Sequence, residues 1–104
     1  MEALGRLGPK ELARLEPALL HGDSEVVKAA LRALSEWRDP TASEALFGAL
    51  SHPAWDVRQV SAELIGELGD ARALPVLSAQ LTRETDDLVR LALSDAYARL
   101  GGEG

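Results

Sequence analysis

The chain has 104 residues, 46% of them hydrophobic and only 4% aromatic, so it fits one domain whose core is built from Leu, Val and Ala. Its net charge of −6 argues against a nucleic-acid backbone or an anionic membrane as the main partner, because both select for clustered Lys and Arg. The lack of Cys excludes disulfides and thiolate sites, and no run approaches the roughly 18 apolar residues that span a bilayer, so we expect a cytoplasmic protein.

Six helices are predicted from apolar residues that recur at helical spacing, and no stretch alternates with the period of a half-buried strand. Pro17 falls inside the first helix and predicts a kink there. Trp37 closes the apolar stripe of the second helix, so we expect it in the core. Asp56 is placed to cap the fourth helix, and Gly69 is placed to end it in a left-handed conformation. In chain order, the helices are predicted at residues 9–21, 24–37, 41–51, 55–68, 71–81 and 86–100.

The second, fourth and sixth helices are imperfect copies of one another and are called the B helices; the other three are the A helices. Val26, Val57 and Val89 lead the apolar runs of the B helices and are spaced by 31 and 32 residues. A period of this length is typical of a solenoid, in which each helix pair buries its apolar face by stacking on its neighbours. We therefore predict an all-α solenoid that forms a single domain over residues 1–104. Its three repeats are predicted at about 9–38, 39–69 and 70–101.

The N-terminus carries a further copy, because residues 2–8 repeat the pattern of residues 63–69 at the end of the middle B helix. We interpret the chain as a piece of a longer array or of a larger protein. The alternative is a short N-terminal capping turn. The last B helix still presents Leu88 and Leu91, so self-association through an exposed terminal repeat is also expected.

The segment Asp56-Val57-Arg58, together with residues 64–77, resembles the short HEAT repeat of the phycobilisome-lyase type. The third repeat keeps Val89-Arg90, whereas in the first repeat Val27 replaces the arginine. The resemblance implies antiparallel helix pairs stacked as a right-handed superhelix, with the B helices on its concave side. Members of this family include protein-binding scaffolds, bilin lyase subunits, a metal-dependent hydroxylase and DNA glycosylases.

Arg58 and Arg90 follow the leading valines of the second and third repeats. In the family that the chain resembles, this arginine is structural and reaches an aspartate in the turn of a neighbouring repeat. Here that aspartate would be Asp39 or Asp70, and the contact would order the stack through charge-assisted hydrogen bonds. An anion-binding pair of arginines is the alternative.

The sequence marks no catalytic or metal centre. His21 and His52 stand at the ends of A helices, and neither belongs to the His-Glu or His-x-x-x-His pair that a metal site would need. The glycines punctuate helices rather than forming a phosphate loop, and no serine is marked as a nucleophile. We therefore expect no enzyme activity, no metal and no cofactor.

The outward side chains of the B helices are polar in most places. Because packed helices lie about 8–10 Å apart, long side chains in one row can meet across repeats. We expect ion pairs of Arg32 with Glu63 and of Glu67 with Arg99. This face is interpreted as a groove that binds a partner, and the alternative is a polar face that only contacts solvent. The rows, aligned by the leading valines, are Lys28, Gln59 and Leu91; Arg32, Glu63 and Asp95; and Glu36, Glu67 and Arg99.

The favoured function is a non-catalytic protein interaction or scaffold module that binds a protein partner along the concave B-helix face. Trp55 is the leading anchor, because it precedes the apolar stripe of the fourth helix, beside His52 and Pro53, and tryptophan is enriched in binding hot spots; the alternative is that it folds over the inter-helix turn. Other candidate functions are an enzyme-associated subunit resembling the bilin lyase proteins and nucleic-acid binding. The predicted partner-binding residues are Trp55, Gln59, Glu63, Leu88, Leu91 and Asp95.

Overall fold

The computed structural model describes residues 23–36 and 40–102. All regular structure in these two ranges is α-helical, as the sequence predicts. The helix predicted at 9–21, the N-terminal copy at 2–8 and Trp37 lie outside the described residues. The five helices of the described ranges are α1 (Ser24–Ser35), α2 (Pro40–Ala49), α3 (Trp55–Leu68), α4 (Ala73–Arg83) and α5 (Asp87–Arg99).

The helices form two layers. α1, α3 and α5, which are the predicted B helices, pack side by side and are called the B layer. α2 packs on α1 and α3, and α4 packs on α5. Short turns reverse the chain between successive helices, so the B-layer helices all run in the same direction. The core lies between the layers, and its largest fully buried side chains include Leu31, Leu34, Leu46, Ile65, Leu77 and Leu93.

The buried stripe corrects the predicted register of the first repeat. Val27, Val57 and Val89 are all 0–1% exposed, whereas Val26 is 45% exposed. The repeat offset in the buried stripe is therefore 30 and then 32 residues, because α1 has one more residue between its N-cap and its first buried valine than α3 or α5. Lys28, which follows Val27, consequently occupies the position of Arg58 and Arg90. The prediction that Val27 replaces the arginine is wrong.

The sequence predicts the residues that begin and end α3, and the structure confirms one of them. Gly69 ends α3 with φ +75°, which confirms the left-handed stop. Asp56 is not the N-cap: α3 begins at Trp55, its N-cap is Ala54, and no side chain caps it. Asp56 lies in the first turn, where its carboxylate accepts from the Val57 N–H at 3.0 Å.

Candidate partner-binding surface

Four large apolar side chains are exposed within the described ranges, and all lie on the B layer. Trp55 is the first residue of α3, as the predicted bounds 55–68 place it, and it is 45% exposed. Leu88 is 53% exposed and Leu91 68% exposed, on the first two turns of α5. Val26, in the first turn of α1, joins them. Sequence reasoning missed Val26, because the register of 31 assigned it to the buried stripe.

Grooves separate the B-layer helices and contain the predicted polar residues. The groove between α1 and α3 encloses about 560 Å³, and the groove between α3 and α5 encloses about 260 Å³. Gln59 is half-buried on α3, one turn before Glu63. Four carboxylates and two guanidinium groups line the two grooves, so their charge is net acidic. These side chains are Glu36, Glu63, Glu67, Asp95, Arg32 and Arg99.

The two ion pairs predicted across the grooves do not form. Among the described residues, neither the Arg32–Glu63 pair nor the Glu67–Arg99 pair comes within 4.0 Å. Arg99 instead places its Nε 3.2 Å from Asp95 Oδ2, one turn earlier on its own helix. Exposed long side chains reach an i,i+4 partner more easily than one across a groove.

A close helix approach explains why the second groove is smaller. An added Cβ at Gly66 would lie 3.2 Å from both Cα and Cβ of Ala96, so α3 and α5 nearly touch there. Ala62, one turn earlier on α3, is also fully buried. In the corrected register the corresponding positions are Arg32 on α1 and Glu36 at the C-cap of α1, whose long side chains line the larger groove. Small residues on α3 therefore permit the more extensive α3–α5 contact.

Arg58 joins the second repeat to the third. Its Nε and Nη2 donate to the two carboxylate oxygens of Glu84, at 2.8 and 3.0 Å. Its Nη1 donates to the carbonyl oxygens of His52 and Pro53 at 2.8 and 3.0 Å, in the turn that precedes α3. Arg58 therefore connects the start of its own helix to the turn between α4 and α5.

Glu84 is the buried acceptor of this network. Its side chain is only 2% exposed, and it also accepts from Gln80 Nε2 at 3.1 Å and from the Asp86 N–H at 3.0 Å. Burial alone raises the pKa of this carboxyl group. The hydrogen bonds from Arg58, Asp86 and Gln80 outweigh burial, so the pKa lies below its ordinary value.

Asp70 is therefore not the acceptor of Arg58, and that prediction is wrong. Asp70 accepts from the Arg72 side chain, with Nη2 at 2.8 Å from Oδ2, and this contact lowers its pKa to about 2. Glu84 was not predicted because the family resemblance points to aspartates in the turns that lead from a B helix into the next A helix, and Glu84 lies in the opposite turn, between α4 and α5. Asp39 lies outside the described residues.

Lys28 and Arg90 occupy the position of Arg58 in the neighbouring B-layer helices. Lys28 Nζ lies 3.0 Å from Asp56 Oδ2 on α3, and 2.9 Å from Glu25 Oε2 on its own helix. The contact with Lys28 lowers the pKa of Asp56. Arg90 Nη1 donates to the carbonyl oxygens of Leu81, in the last turn of α4, and of Glu84, the C-cap of α4, at 2.7 and 3.0 Å.

His52 is part of a turn. Its Nδ1 accepts from the Ala54 N–H at 3.0 Å, and its carbonyl oxygen accepts from Arg58. The described ranges contain no group of three or more His, Cys, Asp or Glu side chains arranged to hold a metal ion. His21 lies outside them.

The comparisons with known proteins identify the family. The family model for HEAT repeats matches residues 12–98, which is most of the chain. The chain belongs to the HEAT-repeat family. The two layers of paired helices are therefore the HEAT arrangement, and none of the described helices meets the length and apolarity that crossing a membrane requires. The comparison with curated proteins found no match.

A solved structure shares the HEAT fold. It is the crystal structure of epoxyqueuosine reductase with a tRNA-Tyr epoxyqueuosine-modified tRNA stem loop. The match has a TM-score of 0.68 and 20% sequence identity over 91% of this HEAT-repeat chain. The chain spans only 26% of that reductase chain, so the likeness concerns the fold of one part of it.

Proposed function

We propose that this HEAT-repeat chain is a non-catalytic protein-binding module whose partner lies along the B layer. The observation that carries the proposal is the exposure of Trp55, Leu88 and Leu91 at the N-terminal ends of adjacent helices. Apolar side chains clustered on a protein surface and rimmed by polar groups are typical of interaction sites. Tryptophan is enriched among the residues that dominate binding energy.

The polar rim gives this surface a charge preference. Glu63 and Asp95 line the groove between α3 and α5, the two helices that carry Trp55, Leu88 and Leu91, and Gln59 lies one turn before Glu63 on the same helix face. The carboxylates favour a partner that presents Lys or Arg next to apolar side chains, since complementary charge steers association. The same carboxylates weigh against a phosphate backbone as the partner. A tRNA stem loop, which is present in the structural neighbour, is therefore not the partner that we propose for this chain.

The experiment is a quantitative co-purification that compares the wild type with Trp55→Ala and with Leu88→Ser/Leu91→Ser. Ser78→Ala, an exposed substitution on α4 in the other layer, is the matched control. We expect the same proteins to be recovered with wild type and with Ser78→Ala, and to be lost with both B-layer variants. Circular dichroism checks that each variant keeps its helical content. Unchanged recovery with Trp55→Ala would remove Trp55 as the anchor.

Two binding assays separate the alternatives. A bilin titration tests the enzyme-associated subunit that the phycobilisome-lyase resemblance suggests. A titration with duplex DNA and with an RNA stem loop at several salt concentrations tests nucleic-acid binding, which would weaken steeply with salt. Binding in either assay that is lost with Trp55→Ala would redirect the function of the B layer to that ligand.

A further inference from the structure

A third cavity lies outside the two B-layer grooves, where the turn between α2 and α3 meets the end of α4. It encloses about 330 Å³, within the range of about 300–1,000 Å³ that is usual for small-ligand sites. None of the exposed apolar residues of the B layer lines it. Its polar lining includes Ser51, His52 and Arg58 on one side and Arg83, Glu84 and Thr85 on the other.

The lining of this cavity is net positive, whereas that of the two B-layer grooves is net acidic. Arg58 and Arg83 carry two positive charges against the single negative charge of Glu84. Glu84 offers little to a cation, because three neighbouring groups already donate to its carboxylate oxygens. The carboxylate of Asp86 is also engaged, since it caps α5. A positive cavity in a chain whose net charge is −6 indicates an anionic ligand.

Arg83 is held in place by a buried amide and keeps donors for a ligand. Its Nη2 donates to Gln80 Oε1 at 2.7 Å, and Gln80 is only 5% exposed. The amide of Gln80 is itself fixed, because its Nε2 donates to Glu84 Oε1 at 3.1 Å. Within residues 23–36 and 40–102, Nε and Nη1 of Arg83 have no acceptor. The guanidinium group is therefore anchored through one nitrogen and can still donate through the other two.

Three neutral donor groups line the cavity together with Arg83. The Nδ1 atom of His52 accepts from the Ala54 N–H at 3.0 Å, so the neutral ring carries its proton on Nε2, which is a donor. Ser51 and Thr85 add hydroxyl groups. In the part of the chain that the structure describes, His52 Nε2 and these two hydroxyl groups have no acceptor. A cation and neutral donors that share one cavity are suited to charge-assisted hydrogen bonds with a carboxylate.

We propose that this cavity binds a carboxylate, which accepts hydrogen bonds from Arg83 and from the neutral donors around it. The ligand class is the acidic side chain of a peptide or a small carboxylic acid. The single positive charge in excess matches a carboxylate better than a phosphate group, which carries about −1.5 to −2 charges at pH 7. The site goes beyond the proposed protein-binding surface, because it lies at the turns that join the two layers and uses none of the side chains of that surface.

Titration of the full ¹⁵N-labelled chain, followed by NMR, measures this binding. The two main probes are the peptides acetyl-Gly-Glu-Gly-amide and acetyl-Gly-Gln-Gly-amide, which have nearly the same shape and differ in charge. We expect saturable shifts of the Arg83 Nε and His52 Nε2 signals with the Glu peptide, with a dissociation constant in the millimolar range, and no such shifts with the Gln peptide. Sodium acetate and inorganic phosphate are titrated in parallel at constant ionic strength. Binding of acetate as tight as that of the Glu peptide would support the carboxylate site and identify a small acid as a sufficient ligand.

Substitutions of Arg83 test its role in the site. Arg83→Met should weaken binding of the Glu peptide about tenfold or more, because it removes the charged donor. Arg83→Lys keeps the charge but loses the planar set of donors, so it should weaken binding less. Arg99→Met is the matched control, because Arg99 is an exposed arginine that pairs within its own helix and does not line the cavity. Arg83 is itself exposed, so circular dichroism should show unchanged helical content in both of its variants.

Three outcomes would overturn the proposal. The first is equal binding of the Glu and Gln peptides, and the second is binding that Arg83→Met leaves undiminished. The third is phosphate that shifts the same signals and binds more tightly than acetate and the Glu peptide, because the cavity would then be a phosphate site. Leu91→Ser should leave the titration unchanged, so this test is separate from that of the proposed partner surface.

Discussion

Arg58 and Glu84 form a two-pronged ion pair between α3 and the turn that leads into α5, with N–O distances of 2.8 and 3.0 Å. The two residues are 26 positions apart, and the pair is partly shielded, with side chains 17% and 2% exposed. The free energy of the pair itself is limited by the cost of desolvating both ions. Loss of one partner is more costly, because it leaves the other charge buried and unpaired.

We therefore expect Glu84→Gln to lower the free energy of unfolding by about 3 kcal/mol. The measurement is chemical unfolding followed by circular dichroism. Glu44→Gln is the control, because Glu44 lies 3.8 Å from Arg72 in a pair whose side chains are 50% and 68% exposed, and such pairs contribute about 0–1 kcal/mol. A Glu84→Gln loss no larger than that of Glu44→Gln would contradict this account of the pair.

The carboxylates with lowered pKa predict how stability depends on pH. The pKa of Asp70 is about 2 in the folded chain against an ordinary 3.8, and those of Asp56 and Glu84 are also lowered. A group with a depressed folded-state pKa stabilises the fold above its unfolded-state pKa, and that contribution is lost as the pH falls through the folded value. The free energy of unfolding should therefore fall as the pH drops from about 4 to about 2.

Asp70→Asn should flatten the lower part of this pH dependence, since it removes the carboxylate with the largest window. The measurement is the urea midpoint at successive pH values. Glu67→Gln, which removes an exposed carboxylate that forms no ion pair within the described ranges, is the control. A curve for Asp70→Asn that falls as steeply as the wild-type curve below about pH 4 would refute the assignment.

Two helical glycines should respond oppositely to alanine. Gly48 has nothing within 4 Å of an added Cβ, so Gly48→Ala should stabilise the protein by about 1 kcal/mol through helix propensity. At Gly66 the added Cβ would meet Ala96 at 3.2 Å, and the cost of overpacking, about 1–3 kcal/mol, should exceed the gain in propensity. Thermal unfolding of the two variants tests this. Equal stabilisation by Gly48→Ala and Gly66→Ala would contradict the close packing of Gly66 against Ala96.

The periodicity of the sequence predicted the helices of the described ranges, because apolar spacing and glycine stops act locally. It did not predict the register of the first repeat. Asp23 caps α1 four residues before Val27, whereas Asp86 caps α5 three residues before Val89. The acids that precede each valine therefore suggested that Val26 is the equivalent of Val57, whereas the valine that is buried in the first repeat is Val27.

The acceptor of Arg58 could not be predicted from the sequence for a related reason. Glu84 ends an A helix, and the equivalent position of the second repeat is His52, so no repeating pattern marked it as a partner. Its role depends on burial and on contacts with Gln80 and Asp86, which only the packed turn creates. The exposed residues Trp55, Leu88 and Leu91 were recognisable from sequence because apolar side chains there fall off the buried stripe.

The N-cap of α5 provides a test of how a side-chain hydrogen bond stabilises the start of a helix. Asp86 Oδ1 accepts from the N–H groups of Leu88 and Val89 at 2.9 and 3.1 Å, which satisfies two donors that the helix leaves free. We expect Asp86→Ala to lower the free energy of unfolding by about 1 kcal/mol, measured by urea unfolding. Asp86→Asn keeps a capping oxygen and should retain most of the stability. If Asn loses as much as Ala, the charge of Asp86 at the positive helix end, rather than its hydrogen bonds, stabilises α5.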